Sequence, residues 1–179
     1  MARKLPTFFS RDEAIRLVAA APSRRDRLMI TLMLLTGLRV SELCNLRIEH
    51  LDFIEKRLLV YQGKGAKDRM IPLSRKLIDP LRHWIAGRTH GLVFPSKRTK
   101  GPICPRTVQY MIKKAGAKAG IQKWVKPHAC RHSFATQLLS KAGANIRQVQ
   151  TLMGHASIGT TEIYTHVTPE ELAPIVDNL

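Results

Sequence analysis

The sequence predicts a mainly α fold of the α+β class: a compact helical body with a small antiparallel β-hairpin at one edge. Three observations lead there. Capping signatures of the Ser/Thr-x-x-Glu kind open several apolar stretches. Most apolar residues recur at helical rather than alternating spacing. Two short β-type runs, Arg57 to Tyr61 and Arg69 to Leu73, flank the glycine-bearing turn Gly63-Lys64-Gly65-Ala66-Lys67-Asp68.

The elements follow in order. Ser10-Arg11-Asp12-Glu13 is a capping box, so a helix starts at Ser10. Arg27 to Thr36 is apolar nearly all round and predicts a buried helix, with Gly37 as its left-handed C-terminal cap. Arg39 opens a short helix from Val40 to Asn45. After the hairpin, helices are expected at roughly Ser74 to Ala86, Arg106 to Ala119 and His128 to Ala142, with a short strand at Leu92-Val93-Phe94 and a Pro- and cation-rich loop from Pro95 to Pro105. Asn145-Ile146-Arg147-Gln148 starts a helix that ends at Gly154. Ser157 can cap a short helix carrying Tyr164. Thr168-Pro169-Glu170-Glu171 is a further capping box, opening a last helix at about 169–178.

One domain, residues 1–179, with a sizeable core is expected from the length. Thirty Lys+Arg stand against thirteen Asp+Glu, a net charge of +17. Such an excess draws polyanions, so nucleic acid is the first partner to consider, ahead of a merely basic soluble protein. The cations recur along the whole chain between apolar segments, which favours a folded domain with a basic face over a basic arm. Cys44, Cys104 and Cys130 are isolated and odd in number. That argues against a disulfide frame or a zinc site and fits a reducing compartment; Cys44 and Cys130 are expected as small core fillers. The first residues lack a signal-peptide stretch, and no apolar run is long enough to cross a bilayer. A cytoplasmic protein follows, with no membrane partner.

Several residues are candidates for chemistry. On a helical projection of 128–142, Cys130, Phe134, Ala135, Leu138, Leu139 and Ala142 share one side. His132, Ser133, Thr136, Gln137 and Ser140 fill the other. Arg131 falls inside the apolar arc and His128 at its margin. A buried arginine needs an anion. That anion is either a carboxylate such as Glu42 or a phosphate near the helix N-terminus. Arg39 follows a buried helix and a glycine turn and repeats this logic; two such guanidinium forks can grip the two non-bridging oxygens of a phosphodiester. Lys64 sits in a turn whose glycines let the backbone approach a groove, with Lys67 a close competitor. His155 follows the helix-ending Gly154, and Tyr164 lies nine positions later. Singly, each has an ordinary structural reading: a solvated turn lysine, a structural histidine, a half-buried aromatic.

The ordered set resembles the catalytic domain of tyrosine recombinases, also called phage-integrase-type recombinases, and looks nearest to the Xer branch. The resemblance runs from about Ser10 to His166. Thr36-Gly37-Leu38-Arg39-Val40-Ser41-Glu42-Leu43 looks like the first arginine box, which gives Arg39 the role of phosphate clamp and Glu42 that of the acidic residue holding the site together. Gly63-Lys64-Gly65-Ala66-Lys67-Asp68-Arg69 is similar to the hairpin turn whose first lysine enters the site, which selects Lys64 over Lys67. His128-Ala129-Cys130-Arg131 is similar to the H-x-x-R box. Leu152-Met153-Gly154-His155 matches the next histidine box, and Tyr164 the nucleophile. Most members carry a further N-terminal helical domain that completes a clamp on DNA. Here the first arginine box begins near residue 36, which leaves no room for it, so the chain is expected to be a truncated or a minimal form.

The implied activity is site-specific DNA recombination by transesterification. Tyr164 attacks the scissile phosphate and forms a 3′-phosphotyrosyl link. Arg39, Arg131 and His155 stabilise the phosphoryl oxygens, His128 serves as base, and Lys64 protonates the leaving 5′-oxygen. A tyrosine with pKa ~10 is only about 0.1% ionised at neutral pH, so its proton must leave as attack proceeds. A second 5′-hydroxyl then reseals the strand. The link conserves the phosphodiester energy, so no cofactor and no metal is expected. The partners implied are double-stranded DNA and further copies of the chain, up to a tetramer on DNA, with the last helix docking into a neighbouring protomer; no small-molecule substrate is expected. Two other readings compete. A type IB topoisomerase uses similar chemistry without site choice. A non-catalytic helix-turn-helix module would use 145–153 and 158–165, but its recognition helix offers Thr160, Thr161, Glu162 and Thr165 and no Arg, Asn or Gln to read base edges.

Overall fold

The computed structural model describes residues 8–61, 68–123, 125–140, 143–154 and 174–177. The expected Tyr164 helix, the capping box at Thr168, and positions 62–67 of the hairpin turn lie outside these residues. The described chain is mainly helical with a three-stranded antiparallel sheet, and it divides into two compact units: Met1–Asn45 with Phe94–Thr136, and Leu46–Val93 with Gln137–Leu179.

The first unit is built on α1 (Arg11–Ala20), α2 (Arg24–Thr36), α3 (Val40–Cys44), α4 (Pro105–Lys118) and the front of α5 (Pro127–Ser140). α1 opens on the expected box: Ser10 Oγ accepts from the Glu13 amide, and Glu13 returns a bond to the Ser10 amide. α2 starts three residues earlier than its apolar run suggests, because Ser23 caps it through the Asp26 amide at 3.1 Å and Asp26 is held by Arg25 at 3.0 Å. Met29, Ile30, Leu32 and Met33 are fully buried, so the helix is covered on most sides. α1 packs on α2 and α4, and α3 on α4. α4 ends in a Schellman motif: Gly120 takes φ 68°, its amide donates to the Ala117 carbonyl, and the Ile121 amide donates to that of Gly116. The returning segment comes so close that a Cβ on Gly116 would sit 2.5 Å from a Val125 methyl.

The second unit holds the sheet β1 (Leu51–Asp52), β2 (Arg57–Val60) and β3 (Arg69–Pro72), in that order. The expected hairpin is β2–β3, in register Val60↔Arg69 to Arg57↔Pro72. β1 is a two-residue addition beyond sequence patterning, reached through a single 3-10 turn at Ile48–His50. The expected strand at 92–94 is only a bridge, Arg47↔Leu92, supported by the Val93 amide donating to the Leu46 carbonyl at 2.8 Å. α6 (Arg75–Ile85) follows the sheet with Ser74 as its cap. α7 (Ile146–Met153) packs on β3; its box joins Asn145 and Gln148, and Gly154 closes it at φ 59°. Residues 174–177 are helical and belong to this unit. Val176 is fully buried, and the Asp177 carboxylate accepts from the Arg75 amide at 2.9 Å, so the described end of the tail packs on its own chain. Among the described residues no helix is long and apolar enough to cross a membrane.

Candidate active site

Four of the seven candidate residues are described, and all four belong to the first unit. Gly37 reverses the chain after α2 at φ 63°, a conformation that costs a residue with a Cβ. Leu38 is buried behind the turn, and Arg39 becomes the residue preceding α3 with extended backbone. The Arg39 amide donates to Glu42 Oε2 at 2.7 Å, while Arg39 Nη1 donates to Oε1 of the same carboxylate at 2.9 Å. One acid thus caps a helix and orients a guanidinium. The Arg39 side chain keeps 39% of its exposure against 10% for Glu42, so the acid is covered while the arginine reaches outward. Glu42 thus holds Arg39 by both its amide and its side chain.

Arg131 is 5% exposed and lies on α5, as its place in the apolar arc predicts. Its Nη1 donates to the carbonyl of Gly37, 94 residues away. Folding thereby brings the H-x-x-R segment to the turn that carries Arg39. A guanidinium has five N–H donors in a fixed plane, so it can hold a carbonyl and face an anion together. His128 is exposed in the first turn of the same helix.

Two features near α5 were not anticipated. The first is Ser133, which the projection put on the polar side and which is fully buried. Its hydroxyl accepts from the Phe9 amide at 2.7 Å and donates to the Ala129 carbonyl at 2.8 Å. Phe9 is 1% exposed, so this small polar relay pins the segment at Phe9 to the helix that bears His128 and Arg131. Leu139, put on the apolar side, is half exposed. A periodicity argument sees polarity, and it cannot see a backbone donor arriving from 124 residues away.

The second is a groove of about 620 Å³ alongside His128. Val40, Ala117, Ile121 and Val125 give it apolar walls, and Arg106, Lys113, Lys123 and Lys126 line it with cations, with the exposed Tyr110 between them. Lys123 is also held by Glu13 Oε2 at 2.6 Å and lies over the Phe8 ring. Burial pushes the His132 imidazole below its ordinary pKa, and the neighbouring His128 pushes it the same way. Burial likewise raises the Cys130 thiol to about 12, and burial with Cys104 nearby raises Cys44 to about 11, so both are inert fillers as expected.

Lys64, His155 and Tyr164 lie outside the described residues. Their flanks are described: Arg69, after the hairpin turn, is buried and its Nε donates to the carbonyl of Leu152 at 3.0 Å, and Gly154 closes α7 just ahead of His155.

The chain is similar to known proteins in sequence and in fold. The phage integrase family pattern matches residues 7–171. The tyrosine recombinase XerA of Thermococcus kodakarensis is 43% identical over 176 residues, covering 95% of this chain and 61% of the relative. The chain thus spans about three fifths of the length of such curated relatives. Among solved structures, the integrase from mycobacterium phage Brujita superposes with a TM-score of 0.84 at 34% identity, covering the whole of this chain and 60% of that one. The XerH site-specific recombinase, in a pre-cleavage complex with its difH substrate, gives 0.74 at 27% identity, covering 96% of this chain and 54% of that one. With a family match over nearly its full length, two arginine segments joined through Gly37, and relatives of the Xer type, the chain belongs to the phage integrase family, the tyrosine recombinases, on its Xer branch.

Proposed function

We propose that residues 1–179 are the catalytic part of a site-specific DNA recombinase that cleaves and rejoins strands through a 3′-phosphotyrosyl intermediate. The observation that carries the reading is the bond from Arg131 to the Gly37 carbonyl, which brings two arginine segments to one turn. Arg39 and Arg131 stabilise the charge on the non-bridging oxygens of the scissile phosphate, and Glu42 holds Arg39 in place. Tyr164 is the nucleophile, His128 the base, His155 a further donor and Lys64 the acid that protonates the leaving 5′-oxygen. The cationic groove beside His128 and the net charge of +17 suit a DNA backbone. The chain acts as an oligomer of up to four copies on DNA, in the cytoplasm.

The test is covalent capture. The 179-residue chain is incubated in EDTA with a random library of nicked duplexes from which the cut fragment can escape. A protein–DNA adduct at one mapped sequence is expected, and none with Tyr164→Phe. An adduct that persists in that variant overturns the assignment of the nucleophile, and relaxation of supercoiled DNA with no mapped site favours a type IB topoisomerase instead.

A further inference from the structure

We infer that Arg69 is a positioning residue that ties the hairpin turn bearing Lys64 to the end of the helix preceding His155, and thereby sets where Lys64 delivers its proton. This rests on the reading of Lys64 as the acid for the leaving oxygen. Arg69 is the first residue of β3, paired across the ladder with Val60, so it stands at the mouth of the turn, five residues after Lys64. Alternation along a strand puts 69 and 71 on one face and 70 on the other. Arg69 is 7% exposed and Ile71 fully buried, whereas Met70 is 41% exposed. A cation has thus been placed on the covered face of the sheet, where an apolar residue would pack at lower cost.

What it meets there explains the choice. The last four carbonyls of a helix have no partner within it. In α7 the Gly154 amide serves Gln150 and Thr151, and Arg69 Nε serves Leu152 at 3.0 Å. A cation is favoured at that negative end of the helix. Leu152 itself is fully buried and lies three residues before His155. β3 packs directly on α7, so the bond is part of a continuous contact. The flat, always-charged guanidinium keeps a fixed direction, which a flexible lysine would not.

The proton step supplies the test. When Tyr164 Oη attacks phosphorus, the bond from phosphorus to the 5′-oxygen breaks, the phenolic proton passes to the base, and the departing oxygen takes its proton from the Lys64 ammonium. A sulfur at that bridging position leaves as a thiolate and needs no acid, since a thiol ionises near pKa ~8.5 and water near ~15.7. The duplex mapped by covalent capture is therefore made with oxygen and with bridging sulfur, and single-turnover cleavage is followed with the full chain. Lys64→Ala is the control: slow on oxygen and restored on sulfur. Arg69→Ala is expected to lose roughly 10²-fold on oxygen, the scale for a displaced catalytic group, and to regain most of it on sulfur. DNA binding is expected to be unchanged. Circular dichroism checks the fold, and if the alanine variant does not fold, Arg69→Lys is read the same way. Arg69 variants that are equally slow on both duplexes, or unimpaired on both, overturn the inference. A Lys64→Ala control that sulfur does not restore overturns the role of Lys64 itself, whatever Arg69 does.

Discussion

The guanidinium of Arg131 is bonded to the carbonyl of Gly37, so the glycine that ends one helix is also the docking point for the arginine of another. Gly37→Ala is therefore expected to act twice. A left-handed residue with a Cβ costs about 1–2 kcal/mol, visible as a lower urea midpoint. Relief of that strain also moves the carbonyl that Arg131 holds, so cleavage should fall by more than the loss of folded protein accounts for. A cleavage rate that merely tracks the folded fraction denies Gly37 the second role.

Arg131→Ala is expected to lose about 10² or more in strand cleavage, by analogy with oxyanion-hole donors. The measurement is the single-turnover rate on the captured duplex. An unchanged rate removes Arg131 from the phosphate clamp.

Ser133→Ala leaves the Phe9 amide buried without its acceptor, for which about 1–3 kcal/mol of stability is expected to be lost. Urea unfolding gives the number. Because the relay pins the segment at Phe9 to α5, limited proteolysis near residue 8 should accelerate in the same variant.

The pH dependence of stability should carry a mark from His132. Burial lowers its pKa in the folded state, so between that value and the unfolded value of ~6.5 the unfolded chain binds more protons. Stability is then complete above ~6.5 and declines as pH falls through that window. Denaturant midpoints from pH 8 downward should show this decline, and His132→Gln should flatten it. A variant as pH-sensitive as the parent assigns the effect elsewhere.

Thiol labelling separates the three cysteines. Cys104 is exposed, while Cys44 and Cys130 are buried with pKa values raised to about 11 and about 12. One label per folded chain is expected at pH 8 and three after unfolding, counted by mass. Two or more labels on the folded chain would contradict the burial.

Much of this was legible because local chemistry and tertiary structure agree. Ser10-x-x-Glu13, Asn145-x-x-Gln148 and Gly37 each act where they stand, and a reader of the sequence can place them. Arg131 was legible for another reason: a cation on an apolar arc asks for an explanation. What stayed hidden depends on partners remote in sequence. The roles of Ser133 and Arg69 are set by a backbone donor at Phe9 and a carbonyl at Leu152. Two-residue β1 has no period to detect, and the first turn of α2 was hidden by the polar run Arg24-Arg25-Asp26-Arg27, ahead of which Ser23 caps the helix by accepting from the Asp26 amide.

Gly116 draws these scales together. A single hydrogen stands where any other residue would put carbon, and Val125 occupies the space that remains. Val125 and Ala117 are both walls of the groove beside His128. The width of that groove is thus set from behind, by the smallest side chain in the protein; adding one methyl at 116 would push the wall bearing Val125 outward and re-gauge the groove without altering any residue that lines it.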